Sequence, residues 1–102
     1  MSLRDRIGSD AGGVRLEDTL KTAISHGFHY LDFNIETEPN RPDAWTDDRV
    51  RSIRDMCERN DVHLALHTAS SVNIAEYAMF VGDAVDQYLR IYIELSKRLG
   101  CD

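Results

Sequence analysis

Val62-His63-Leu64-Ala65-Leu66-His67 runs through Thr68-Ala69-Ser70-Ser71 into Val72-Asn73-Ile74-Ala75-Glu76. A short apolar run ends on a histidine, crosses a small polar turn and enters a helical pattern. Side chains alternate across a strand, so Val62, Leu64 and Leu66 face one way and His63, Ala65 and His67 the other. An imidazole is thereby placed at the carboxyl end of a buried strand, where α/β folds gather their ligands.

Similar units precede this stretch. Phe28 to Asn34 reads as a strand with Tyr30, Asp32 and Asn34 on one face and His29, Leu31 and Phe33 on the other. The spacing of Leu16, Leu20, Ala23 and Ile24 predicts a helix from about Leu16 to His26, with Glu17 and Asp18 in the turn that favours carboxylates. Gly27 follows as its C-terminal stop. Glu36 to Ala44 contains both prolines and reads as a loop. Thr46 caps a second helix, whose buried stripe is Val50, Ile53, Met56 and Cys57.

Leu3 to Ile7 reads as a first strand, with Ser9 and Asp10 at its end. A short helix is predicted over Asn73 to Phe80. After Gly82, Asp83 is read as the cap of a longer helix to about Leu99, with Ala84, Val85, Tyr88, Leu89, Tyr92 and Leu95 inward and Gly100 at its end. The order is βαβαβα, which implies an α/β fold with parallel strands joined by right-handed crossovers.

The chain has 102 residues and suits one domain, 1–102. Twelve Lys and Arg stand against 18 Asp and Glu, for a net charge of −6, which opposes nonspecific nucleic-acid binding. No apolar run is long enough for a membrane span, and Met1-Ser2-Leu3-Arg4-Asp5-Arg6 has no signal-peptide core. Cys57 and Cys101 have no zinc-ligand spacing and read as reduced thiols in a cytoplasmic protein.

The run from Leu16 to Asp102 resembles the xylose-isomerase-like TIM-barrel superfamily, which includes sugar-phosphate isomerases/epimerases and the second family of apurinic-site endonucleases. Leu16-Glu17-Asp18-Thr19-Leu20, Ala23 and His26-Gly27-Phe28 look like that family's first helix and its exit. Leu31-Asp32-Phe33 looks like its second strand, which usually carries an acidic residue. His67 followed by Val72-Asn73-Ile74-Ala75 is similar to its His-x-x-x-x-aliphatic-Asn-aliphatic-Ala signature. Lys97-Arg98-Leu99-Gly100 looks like the end of the helix before its next strand. Thr68-Ala69-Ser70-Ser71 stands where the nuclease branch has an Ala-Pro-Tyr type of turn, which points to the isomerase/epimerase branch.

The resemblance implies a partial (β/α)₈ barrel. A whole barrel takes about 250 residues, so the chain supplies about three of eight units. The expectation is therefore an N-terminal fragment of a metal-dependent sugar-phosphate isomerase/epimerase-like protein, without turnover on its own. The family's Glu, Asp and His ligands for a divalent metal (Mn, Zn or Mg) lie mainly on later strands.

His67 is the leading site residue. The resemblance makes it a wall of the pocket for a sugar or sugar phosphate, or a metal ligand in the nuclease branch. Alternatively it is a strand-end histidine satisfied by backbone or water. Asp32 joins it as a candidate for orienting a substrate hydroxyl, against the reading of a capped or solvated carboxylate. Asn34 shares that face and is a third substrate-contact candidate; it and Glu36 also read as solvated loop-edge residues. Asn73 reads as a cap of its own helix, Trp45 as a packing residue, and His26, His29 and His63 as structural. Gly12-Gly13 lacks the Gly-Lys-Ser/Thr of a phosphate loop.

Two other functions compete. An apurinic endonuclease-like fragment would use His67 in a metal cluster and need a basic groove, which the negative charge opposes. A noncatalytic partial barrel would act by association, as a homo-oligomer or with the missing barrel half. That reading expects an uncovered apolar sheet face, with Ile91 and Ile93 available to an interface.

Overall fold

Leu31, Phe33 and Leu64 are buried, while Tyr30, His63 and Ala65, their neighbours in the chain, are exposed. Alternation of that kind needs one covered sheet face, and the structure supplies it. In the computed structural model, which describes residues 2–67 and 69–102 and not the side chain of Arg4, three parallel strands lie in the order β1-β2-β3. They are β1 (Ser9–Asp10), β2 (Tyr30–Phe33) and β3 (His63–Leu66), interleaved with helices α1 (Leu16–Ser25), α2 (Asp47–Asn60) and α3 (Val81–Leu99). Met1 and Thr68, which the sequence reading placed in the N-terminal stretch and the polar turn, lie outside the described residues.

The register pairs Ser9 with Leu31 and Leu31 with Leu64 on the covered face. It pairs Asp10 with Asp32 and Asp32 with Ala65 on the open one. The core joins Leu31, Phe33 and Leu64 to Leu16 and Leu20 of α1, Val50 and Ile53 of α2, and Tyr92 and Leu95 of α3.

α1 stops as predicted. Gly27 adopts φ 76°, its amide donates to the Ile24 carbonyl, and the Phe28 amide donates to Ala23. This double bond pattern needs a left-handed residue, which glycine supplies without a Cβ clash. Thr46 Oγ1 caps α2 by accepting the Arg49 amide at 3.2 Å.

Three expectations are corrected. Leu3–Arg6 forms a 3₁₀ turn and not a strand, because Ser2 donates from both its amide and its hydroxyl to Asp5 Oδ2. The first strand is only the Ser9–Asp10 pair. Asn73 to Phe80 forms turns and not a helix: the Asn73 and Glu76 side chains accept the Ala75 and Ala78 amides locally. Such bonds compete with helical ones, and the segment's apolar side chains have nothing to pack against. Within α3 the inward stripe is Val85, Tyr88, Leu89, Tyr92, Leu95 and Leu99; Ala84 is exposed, and Asp83 lies inside the first turn while Phe80 holds the cap position.

The helices are joined by a buried polar knot. Asn40 is fully buried. Its Oδ1 accepts the Leu16 amide at 3.1 Å and Arg49 Nη2 at 2.8 Å, and its Nδ2 donates to the Val14 carbonyl at 2.9 Å. Arg49 grips the Glu17 carboxylate through Nε and Nη2 and lies 4.0 Å above the Trp45 ring. Trp45 donates its indole N–H to the Asn40 carbonyl at 2.9 Å and packs on Phe33, as the packing reading expects. Burial alone would raise the Glu17 carboxyl; hydrogen bonds from Arg49 and its own backbone, with the charges of Arg49 and Arg15, hold it below its ordinary value.

Asn40→Ala leaves the Leu16 amide and the Val14 carbonyl without these partners in the interior. The expected loss is about 2–3 kcal/mol of stability in urea unfolding, against no more than about 0.5 kcal/mol for Asn60→Ala on the exposed side of α2.

Candidate functional site

Because all three helices cover one face, the polar residues of the strands collect on the other. Asp32 and Asn34 on β2 and its exit, and His67 just past β3, stand on this open face at the carboxyl end of the sheet. Parallel pairing brings the two strand ends level: the His67 amide donates to the Phe33 carbonyl at 2.7 Å. Asn34 and His67 are thus brought to one cavity, while Asp32 lies on the same face but in a neighbouring recess.

A cavity of about 290 Å³ opens here, lined by Asp10, Asn34, Glu36, Thr37, His67 and Ser70. Asn34 Oδ1 accepts the Glu36 amide at 3.2 Å, which sets the turn leaving β2. Asp10 Oδ1 accepts the Gly12 amide at 2.9 Å. Asp32 does not line this cavity. It lines an adjoining recess of about 360 Å³ with Asp10, Tyr30, His63, Ala65 and Asp102. Its Oδ1 is buried without a hydrogen-bond partner.

Glu36, expected as a solvated loop-edge residue, also makes specific hydrogen bonds across two loops. Its carboxylate accepts the amides of Ser70 and Ser71 and the Ser70 hydroxyl, the last at 3.1 Å. It therefore ties the loop after β2 to the loop after β3, across the mouth of the cavity. Desolvation raises its carboxyl, but the donors on Ser71 and Ser70 outweigh this and hold it below its ordinary value. Burial, the Tyr88 hydroxyl and the Glu36 carboxylate push the Tyr92 phenol up, so it stays a neutral hydroxyl.

Asp10, Thr37 and Ser70 carried no site role in the sequence reading. Asp10 had a usable signal: it closes a strand just before the Gly12-Gly13 break, the same place on its unit that Asp32 has on the next. Thr37 and Ser70 had none, since only the folded loops bring them together.

The remaining histidines make local contacts. His26 Nδ1 lies 2.9 Å from the Thr22 carbonyl oxygen, and His29 Nδ1 lies 2.8 Å from that of Asp61. His63 lies at the amino end of β3, stacked on Tyr30, with Nδ1 2.6 Å from Asp102 Oδ2 and Nε2 3.3 Å from Asp61 Oδ1. The hydrogen bond to Asp102, opposed by desolvation and helped by Asp61, raises its pKa. Cys57 and Cys101 are free thiols, each pushed up to about 11, chiefly by burial. Neither is poised as a nucleophile at neutral pH.

Among the described residues, no three His, Cys, Asp or Glu side chains converge as a metal site. Among them, too, no helix is long and apolar enough to cross a membrane. No family model, curated protein or solved structure matches the chain.

Two pH effects follow, of opposite sign. The Glu36 latch stabilises the ionised form, so its contribution is full above the ordinary carboxylate pKa of about 4.3 and is lost as pH falls through the lower folded value. The stability advantage of wild type over Glu36→Gln, read by urea unfolding, shrinks in that window. For His63 the raised value means stabilisation that is full below about pH 6.5 and lost as pH rises through the folded pKa. In an NMR titration Asp102→Asn moves the His63 midpoint down.

Proposed function

We propose that this chain is a three-unit portion of a xylose-isomerase-like (β/α)₈ barrel of the sugar isomerase/epimerase kind. It contributes a polar wall to a pocket for a small polyhydroxylated ligand, a sugar or sugar phosphate. The observation that carries the reading is the gathering of Asp32, Asn34 and His67 on the open face at the carboxyl ends of parallel strands. Ligands of α/β folds bind at that end. The parallel order with every helix on one face also suits a barrel segment, whose open face would become the barrel interior.

The wall has a definite chemistry. Asp10 and Glu36 offer carboxylate acceptors, Asn34 offers an amide, Thr37 and Ser70 offer hydroxyls, and His67 offers an imidazole. This set matches sugar hydroxyls, each of which both donates and accepts. Among the described residues the lining includes no Lys or Arg, which favours hydroxyls over a phosphate at this wall. His67 lines this wall at the end of β3. Asp32 sits two residues before the rim residue Asn34 and would accept from a group that reaches down the open face.

The divalent metal that the resemblance implies does not fit the described residues, which offer no three-ligand group. No chemical step is therefore assigned to a metal on this chain, and proton transfer between carbons of a sugar is assigned to the assembled barrel. The two carboxylates at the pocket rim oppose a phosphodiester backbone, so the nuclease reading is set aside.

The test is a ¹H–¹⁵N NMR titration of the chain with a neutral pentose and with the corresponding pentose phosphate. The expected result is millimolar binding of the neutral sugar, shifting the amides of Asn34, Glu36, His67 and Ser70. His67→Ala weakens this binding by about tenfold, the value of one hydrogen bond to ligand. Shifts absent from these residues, or tighter binding of the phosphate through them, would sink the reading.

A further inference from the structure

Seven consecutive residues, Ile74 to Phe80, leave four large apolar side chains in water. Ile74, Tyr77, Met79 and Phe80 are 77, 97, 78 and 77% exposed. Val81 beside them is half exposed.

The backbone beneath them is tied down. The Glu76 amide donates to the Asn73 carbonyl at 3.2 Å and the Gly82 amide to the Ala78 carbonyl at 2.9 Å. Asn73 Oδ1 accepts the Ala75 amide at 3.0 Å, and Glu76 Oε1 accepts the Ala78 amide at 2.9 Å. Phe80 holds a left-handed φ of 68°, a conformation that bulky L residues rarely adopt. The turn is thus held by several local main-chain bonds, and what it leaves uncovered includes four large apolar side chains. A surface oriented in advance loses less entropy when it is covered.

We propose that this turn is a self-association surface, which meets the same turn of a second copy of the chain about a two-fold axis. Area favours this occupant. Aromatic and long aliphatic side chains this exposed present roughly 500–600 Å² per copy, at the upper end of what monomers leave uncovered. Pairing the patch with itself removes roughly 1,000–1,200 Å², which reaches the lower bound for a specific interface. A two-fold contact is self-complementary, so one patch serves both sides. Glu76 lies within the patch and Asp83 beside it, and the chain carries a net charge of −6, which opposes an anionic lipid surface. Across the two-fold the same carboxylates repel weakly, so salt strengthens the contact. The proposal is independent of the sugar reading, because none of these side chains lines the cavity at Asn34 and His67.

Analytical ultracentrifugation of the 102-residue chain at low and high salt tests it. The expected species is a dimer that tightens as salt rises. The double variant Tyr77→Ser/Phe80→Ser, with unchanged circular dichroism, dissociates roughly a hundredfold more readily, because two aromatic anchors per copy are removed. Should the variant not fold, hydrogen exchange of the wild type decides: amides of residues 74–81 gain protection with protein concentration. A chain monomeric at every concentration, or a dimer that the folded variant leaves intact, overturns the proposal. So does a dimer weakened by salt, the mark of a basic partner surface, or uptake of the chain by phosphatidylcholine vesicles.

Discussion

Asn40 holds this fold together out of proportion to its size. It is a loop residue, yet it satisfies the first amide of α1, the carbonyl of Val14 before it and the guanidinium of Arg49 in α2. Without it, Arg49 would keep the Glu17 carboxylate but lose the group that aligns its Nη2. An arginine whose side chain is this buried is tolerated only when its donors are used. Here Nε and both Nη atoms have acceptors: Glu17, Asn40, Pro39 and Ala44. The indole of Trp45 closes the arrangement from one side. The knot fixes how α1 and α2 lie on β2, and so fixes the direction in which the loop leaves β2 toward the cavity.

The site depends on that direction. Glu36 can reach the Ser70 and Ser71 amides only if the β2 exit and the β3 exit rise from the sheet at the same level, which the parallel register ensures. The carboxylate then acts on both loops at once. It neutralises two backbone donors, restrains the mouth of the cavity and bears on the Tyr92 phenol of α3. Order in the core is thereby transmitted to the pocket rim through one side chain.

Much of this was legible in the sequence because it rests on periodicity. Leu31 and Phe33, or Leu64, announce a covered face by alternation, and the same alternation puts Asp32, Asn34 and His67 opposite them. Gly27 and Thr46 announce helix ends through chemistry confined to one turn. What was not legible depends on distance along the chain or on local competition. Asn40 looks like any polar loop residue, since its partners Leu16 and Val14 lie 24 and 26 residues away. Glu36 looks solvated for the same reason, with Ser70 lying 34 residues on. The Asn73 to Phe80 segment reads as helical by pattern, but two side-chain acceptors capture its amides, and no surface rewards a helix there. The open face sets Tyr30 and Ala65 beside Asp10, Asp32 and His63, as the alternation of the strands predicts.

That mixture separates what folding requires from what it does not. Asp10 and Asp32 are register partners on adjacent strands, and like charges set side by side destabilise a sheet. Asp32 adds a buried oxygen with no donor, a kind of defect that costs about 1–3 kcal/mol where it occurs. Threonine or valine would serve the strand better at either position. The core gains nothing from these carboxylates, because it lies on the other face. On the reading proposed above, two acceptors at the carboxyl ends of neighbouring parallel strands are what a donor-rich ligand such as a polyol would meet.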